Sequence, residues 1–247
     1  MTTSDALEPA YILHTRKYRD TSLIVEFLTR NQGRVSAVAR GARGPKSRQR
    51  TSWQPFNPLM VSFLGGGELR TVKSAEFLNT AFRLTGERLI LGLYLNELLI
   101  KLAGKFEAMP LIFNEYQSLL DALASDNEIS MAQLRNFELR LLEELGYGVT
   151  FDRDALSGQP VDPEKYYIFR VQLGFVMTDA HHPDAVPGSL LLQIERGQLG
   201  SAAADQLLKR LVRTTLDFLL HGRPLKSREL YRKLQVADTS VTGDRQL

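Results

Sequence analysis

Cysteine is absent from the 247 residues, which removes disulfides, thiolate zinc sites, iron–sulfur clusters and cysteine nucleophiles together. Long apolar runs are missing too. No stretch reaches the ~18 residues of a membrane span, and the N-terminus MTTSDALEPAYILHTRKY has no apolar core of signal-peptide length. A cytoplasmic location without membrane association is expected. The most informative absence is that of acid. From Phe27 to Gly67 forty-one residues hold no Asp or Glu but seven cations: Arg30, Arg34, Arg40, Arg43, Lys46, Arg48 and Arg50. Net charge is +3 overall, so removing these seven leaves −4, and the basicity is local. Local charge points to a partner, whereas diffuse charge mostly sets solubility. Gly33, Gly41, Gly44 and Pro45 interleave with the cations, and Trp53 and Phe56 follow them. A flexible basic loop beside rings suits a polyanion, nucleic acid first; a solvated hairpin is the plainer alternative.

What is present divides near residue 80. Before it, short apolar runs bounded by turn residues predict strands over Tyr11–Tyr18, Leu23–Thr29, Arg34–Ala39, Leu59–Leu64 and Leu69–Phe77. Asn31-Gln32-Gly33 and Gly65-Gly66-Gly67 read as hairpin turns, with Gly33 free to take positive φ. Five short strands in under eighty residues suit a small barrel, of which the OB-fold is a common kind. After it, leucines crowd a helix from Leu89 to Leu102 that Thr85 caps, and Pro110 opens a second helix to about Ala124. Ser130 caps a third, which Gly146 ends. Further helices are predicted from about Ala202 to His221 and, capped by Ser227, to Leu234. Gly148–Pro187 reads as an inserted hairpin, with Tyr166–Val171 and Phe175–Thr178 paired around Gly174. The expected class is α+β: a five-stranded OB barrel over residues 1–80, then a mostly helical domain over 81–240. Residues 1–83 carry 13 cations and 6 anions against 18 and 22 in the remainder, so the basic surface belongs chiefly to the barrel.

Catalytic constellations leave little trace. There is no G-x-x-x-x-G-K-[ST] loop, no dinucleotide fingerprint and no G-x-S-x-G elbow. Asp179, His181, His182 and Asp184 lie close in sequence, and Asp152 and Asp154 flank Arg153; a polar loop tip and a solvated turn explain them more simply than a metal or nuclease site. No catalytic residue, metal or cofactor is assigned, and no enzymatic activity is expected.

Several segments in succession resemble the RecO family of bacterial recombination mediators. They are Thr21-Ser22-Leu23, Gly33-Arg34-Val35, Val38-Ala39-Arg40-Gly41-Ala42-Arg43, Gln54-Pro55-Phe56, Pro58-Leu59, Ser74-Ala75-Glu76, Tyr94-Leu95-Asn96-Glu97-Leu98, Phe137-Glu138, Leu145-Gly146-Tyr147 and Pro224-Leu225-Lys226-Ser227-Arg228. The resemblance spans residues 8 to about 234. It implies an OB-fold followed by a helical domain, no turnover, and a DNA-repair role. That role covers binding of single- and double-stranded DNA, annealing of complementary strands, work with the single-strand binding protein SSB and with RecR, and loading of RecA at the nucleoid. Many relatives carry a four-cysteine zinc module after the Gly-Tyr motif; this chain has none, so the resemblance does not carry zinc over. Tyr166, Tyr167, Phe169 and Phe175 are then the expected anchors of that segment.

Annealing needs a sequence-independent hold, which arginine forks on phosphate oxygens supply. Arg34, Arg40, Arg43, Lys46, Arg48 and Arg50 are the expected phosphate contacts, and Arg16 and Lys17 extend them. Trp53 either stacks on a base or closes the barrel end beside Phe56. For the SSB tail, acidic and ending in phenylalanine, the expected receptor is Arg135 with Leu134 on the third helix and Leu98 on the first. An RNA-binding OB protein with a helical appendage is the alternative function.

Overall fold

A computed structural model of the chain describes residues 6–45, 51–78, 82–125 and 130–243, with side chains to residue 234. Five strands come first: β1 (Glu8–Tyr18), β2 (Ser22–Thr29), β3 (Gly33–Ala39), β4 (Pro58–Leu64) and β5 (Leu69–Phe77). Then follow α1 (Gly86–Leu102), α2 (Pro110–Ala124), α3 (Met131–Leu142), β6 (Tyr166–Arg170), β7 (Gly174–Thr178), β8 (Val186–Pro187), α4 (Gly188–Glu195), α5 (Ala202–Leu219) and α6 (Lys226–Gly243). They gather into two compact units, Met1–Ser130 with Pro224–Leu247, and Met131–Arg223. The barrel strands end at Phe77, while α1, α2 and α6 belong to the barrel's own unit.

In the first unit the strands close in the order β1-β2-β3-β5-β4, with β4 returning to β1 and the β3–β5 pair parallel. This is the OB barrel expected from the sequence. Alternation decides its inside: Ile12, Val25, Phe27, Val35, Ala37, Leu59 and Val61 are fully buried in one cluster, each large one stabilising by about 1.5–3 kcal/mol. Trp53 joins that cluster. It is 8% exposed and meets Phe77 edge-on at 4.9 Å, so of its two sequence readings the core one holds and an exposed stacking platform does not.

The unit's helices lock onto the outer side of β1. Tyr11 packs against the rings of Phe113 and Tyr116, and Asn96 of α1 bridges the Leu13 carbonyl (2.8 Å) and the Tyr116 hydroxyl (2.6 Å). Gly92 lets α1 approach Phe56, because a Cβ there would stand 2.9 Å from that ring. Thr85 occupies the N-cap position of α1, but its side chain makes no capping bond. Ser227 does not cap α6 either. It lies inside the first turn, and the Glu97 carboxylate of α1 caps the helix from outside, accepting from the backbone N–H of Lys226 (3.0 Å) and Ser227 (2.9 Å) and from the Ser227 hydroxyl (2.7 Å). Burial pushes the Glu97 pKa up, but these donors and Lys101 outweigh it and hold the group below the ordinary glutamate value.

The second unit packs the buried stripe Leu134, Phe137, Leu141 of α3 with the apolar face of α5. The last turn of α3 widens over Glu143–Tyr147, and Gly146, at φ +82°, ends it as its sequence position implied. The expected hairpin forms, with Phe169 opposite Phe175 and Gly174 at φ +114°. Tyr167 and Phe175 are its buried anchors, whereas Phe169 is half-buried and Tyr166 exposed. The tie that the sequence did not announce is Asp154. Its carboxylate is buried and accepts from the N–H of Leu156 (3.1 Å), Ser157 (2.7 Å) and Met177 (2.6 Å) and from the Ser157 hydroxyl (2.8 Å). Burial raises the Asp154 pKa, the four donors lower it, and the donors win. With Ala155 N–H donating to the Phe175 carbonyl (2.7 Å), the loop covers the open edge of β7 as a further strand would.

Candidate nucleic-acid interface

Strand register sorts the predicted cations. Directly paired residues share a face, and Leu23, Val25 and Phe27 point inward, so Arg16 (opposite Ile24) and Tyr18 (opposite Ser22) point outward. A bulge after Ile12 sets this parity. Lys17, opposite Leu23, stands instead at the barrel's end, exposed. Arg40 follows directly on Ala39, the partner of Leu23, and is exposed. Two basic segments far apart in sequence are then joined: the Arg43 N–H donates to the Thr21 carbonyl at 2.8 Å, and the Arg43 guanidinium reaches the Arg19 carbonyl at 3.5 Å. Residues 16–19 and 40–43 thus form one basic rim, with Asp20 as the acid in its turn.

Arg34 has another task. Its side chain is 15% exposed; Nε donates to the Ala103 carbonyl at 3.0 Å and Nη1 to Glu26 at 3.2 Å, while Ser36 donates to the same carboxylate at 2.8 Å. Next to it the Phe106 N–H donates to the Arg34 carbonyl (3.1 Å), and a Cβ on Gly33 would stand 1.7 Å from the Glu107 carbonyl oxygen. The Gly33-Arg34 pair docks the α1–α2 connection onto β3, with the Nε and an Nη1 donor of Arg34 bound within the fold. Arg34, expected as a phosphate contact, is thus a largely buried side chain that already serves the fold. Lys46, Arg48 and Arg50 lie outside the described residues.

Two side chains on this surface escaped the sequence reading. Tyr18 carries the Arg19 guanidinium 5.2 Å from its ring centre. Lys73 is the extra residue of a β5 bulge, between Val72 (opposite Phe63) and Ser74 (opposite Ser62), and is exposed. The acid-free window could not flag Lys73, since it lies past Glu68; alternation with Arg16 could have flagged Tyr18.

The expected SSB-tail residues divide between the two units. Leu98 is fully buried in the first unit; in the second, Leu134 is 7% exposed and Arg135 pairs with Glu138, itself buried. For the nuclease alternative, Asp154 has both oxygens filled by the bonds above, His182 Nδ1 accepts from the Asp184 N–H (3.1 Å), and Asp184 pairs with Arg210 (3.1 Å). Among the described residues no three His, Asp or Glu come together as a metal-holding group. Nor is any helix among them long and apolar enough to cross a membrane.

The fold defines an OB-barrel protein with a helical C-terminal region. Two family models account for nearly all of it: Recombination protein O N terminal matches residues 1–81 and Recombination protein O C terminal matches 83–229. The chain is 39% identical over 227 residues to the DNA repair protein RecO of Proteus mirabilis, covering 92% of each chain. It is 40% identical over 231 residues to that of Coxiella burnetii strain RSA 493, covering 93% of this chain and 99% of the relative, and 39% identical over 230 residues to that of Aromatoleum aromaticum (92% and 95%). The chain belongs to the RecO family of DNA repair proteins.

Proposed function

We propose that this chain is a non-catalytic recombination mediator that binds single- and double-stranded DNA, anneals complementary strands including SSB-coated ones, and acts with RecR to load RecA. One observation carries the DNA-binding part: the hydrogen bond from Arg43 N–H to the Thr21 carbonyl, which merges two basic segments into a single rim. A rim of guanidiniums holds phosphates without reading bases, as pairing of arbitrary sequences requires. Arg16, Lys17, Arg40 and Arg43 form the described part of the grip; Lys46, Arg48 and Arg50 extend it along the same connection. The working location is the cytoplasm, on the nucleoid. Of the tail-binding candidates only Arg135 presents a charge, and it binds an acidic tail by exchanging Glu138 for it.

The test is annealing of complementary SSB-coated strands, run with a salt titration of single-strand binding. Four engaged phosphates give a log–log slope near −3 at ~0.7 each. Annealing with such a slope is expected; a slope of zero overturns the DNA reading. Tighter binding of matched RNA than of DNA would favour the RNA alternative.

A further inference from the structure

With Trp53 in the core, the basic rim lacks the ring that sequence assigned to it. The strand register supplies another. On the barrel's outer face two neighbouring ranks cross the strands: Arg16, Ile24, Val38 and Thr71 in one, and Tyr18, Ser22, Arg40 and Lys73, each two residues along its strand, in the next; on β2 both Ile24 and Ser22 are buried. The pairs Arg16–Ile24, Ile24–Val38 and Val38–Thr71 are direct partners, so the first rank crosses four strands, and the second runs beside it. Three strand spacings of ~4.8 Å make it about 14 Å long, enough for about four nucleotides at a stacked rise of ~3.4 Å. Arg16 stands at the β1 end of the first rank, and exposed Arg40 and Lys73 stand on the β3 and β5 side of the second. The ring of the second rank is Tyr18, half-buried and faced by Arg19. Glu76 lies further along β5, opposite Met60, and Asp20 in the turn beyond Tyr18.

We propose that Tyr18 is the base-stacking residue of this protein and Lys73 a phosphate contact, so that a single strand crosses the barrel from β1 to β5. A phenol ring takes any base on its face and leaves sequence unread. An Arg19 guanidinium on the ring supplies a cation to the same base or its phosphate. The occupant is single-stranded nucleic acid rather than an acidic polypeptide, because cations alone would serve a carboxylate chain, whereas this face combines them with a ring. The inference rests on the DNA-binding reading above.

The experiment measures binding of a fluorescent dT octamer and of an abasic octamer of equal charge to the full chain, at several salt concentrations. Tyr18→Leu is expected to weaken dT binding about 5- to 150-fold, the factor to which the ~1–3 kcal/mol of base stacking converts, with the salt slope and the abasic affinity unchanged. Tyr18→Phe keeps the ring and the wild-type affinity. Lys73→Gln lowers the slope by ~0.7 on both oligomers. Equal losses on dT and abasic strands in Tyr18→Leu, a matching loss in Tyr18→Phe, or an unchanged slope in Lys73→Gln would overturn the inference while leaving DNA binding in place. Competition by hexaglutamate as potent as by dT at equal charge would overturn it in favour of an acidic polypeptide. A wild-type protein that binds neither oligomer overturns the DNA reading itself.

Discussion

Arg34 and Arg40 stand near the two ends of one seven-residue strand and have opposite fates. At the β3 start, arginine is spent on structure: Glu26, Ser36 and the Ala103 carbonyl surround it, and Gly33 lets the α1–α2 connection close over the hairpin. At the β3 end, Arg40 is exposed to water, and half-buried Arg43 bonds the β1–β2 turn. A basic run in sequence is thus two objects in space, one holding the barrel to its helices and one available to a polyanion. Charge counting cannot separate them; hydrogen-bond accounting can.

The contrast breaks hardest at Gly33. Gly33→Ala places a methyl group against the Glu107 carbonyl at a residue with φ +64°, and a stability loss of about 2–4 kcal/mol in urea unfolding is expected, with DNA affinity of the folded fraction intact. Arg34→Ala comes next. It strands the Glu26 carboxylate beside buried Ser36 and should cost about 1–3 kcal/mol, again with little change in the salt slope. Arg40→Ala reverses the pattern: stability moves by no more than about 0.5 kcal/mol, while the slope for single strands falls by ~0.7. Equal behaviour of the two arginines in these paired measurements would erase the distinction.

Acid sharpens the same comparison by acting on the closed regions alone. Glu97 and Asp154 both have folded pKa values lowered by their donors, so each contributes stability above its unfolded pKa. That contribution disappears as pH falls through the folded value. Thermal unfolding is expected to drop steeply below the ordinary carboxylate range, and Asp154→Asn should flatten part of that drop. Salt-dependent DNA binding is expected to persist until the fold itself fails. The smallest effect is reserved for Arg135→Ala: its exposed share and its pairing with Glu138 predict a modest loss of tail-peptide binding and none of DNA binding, read by fluorescence anisotropy.

Much of the barrel was legible because alternation leaves a mark every second residue. The five strands, the Gly33 turn and the Gly146 stop all follow from local pattern. Other features had no local mark. The two-residue β8 and the short α4 are too brief for periodicity, and Ser227 looked like a cap because the true cap, Glu97, is 130 residues earlier in the chain. Asp154 read as a solvated turn for the same reason, since one of its donors, Met177, lies 23 residues away. Lys73 is turned outward by a bulge that no spacing rule announces.

Composition and pattern therefore determined the class of the chain, its barrel, the acid-free basic connection and the lack of any cysteine-dependent chemistry. Those depend on residue identity and neighbours a few positions apart. The tertiary structure alone decided which arginine is bound within the fold, that Trp53 is core, and that Tyr18, Arg40 and Lys73 stand beside Arg16 on the barrel's outer face. Partnership across strands is set by register and closure, and a cation's availability depends on whether distant carbonyls and carboxylates have already claimed it.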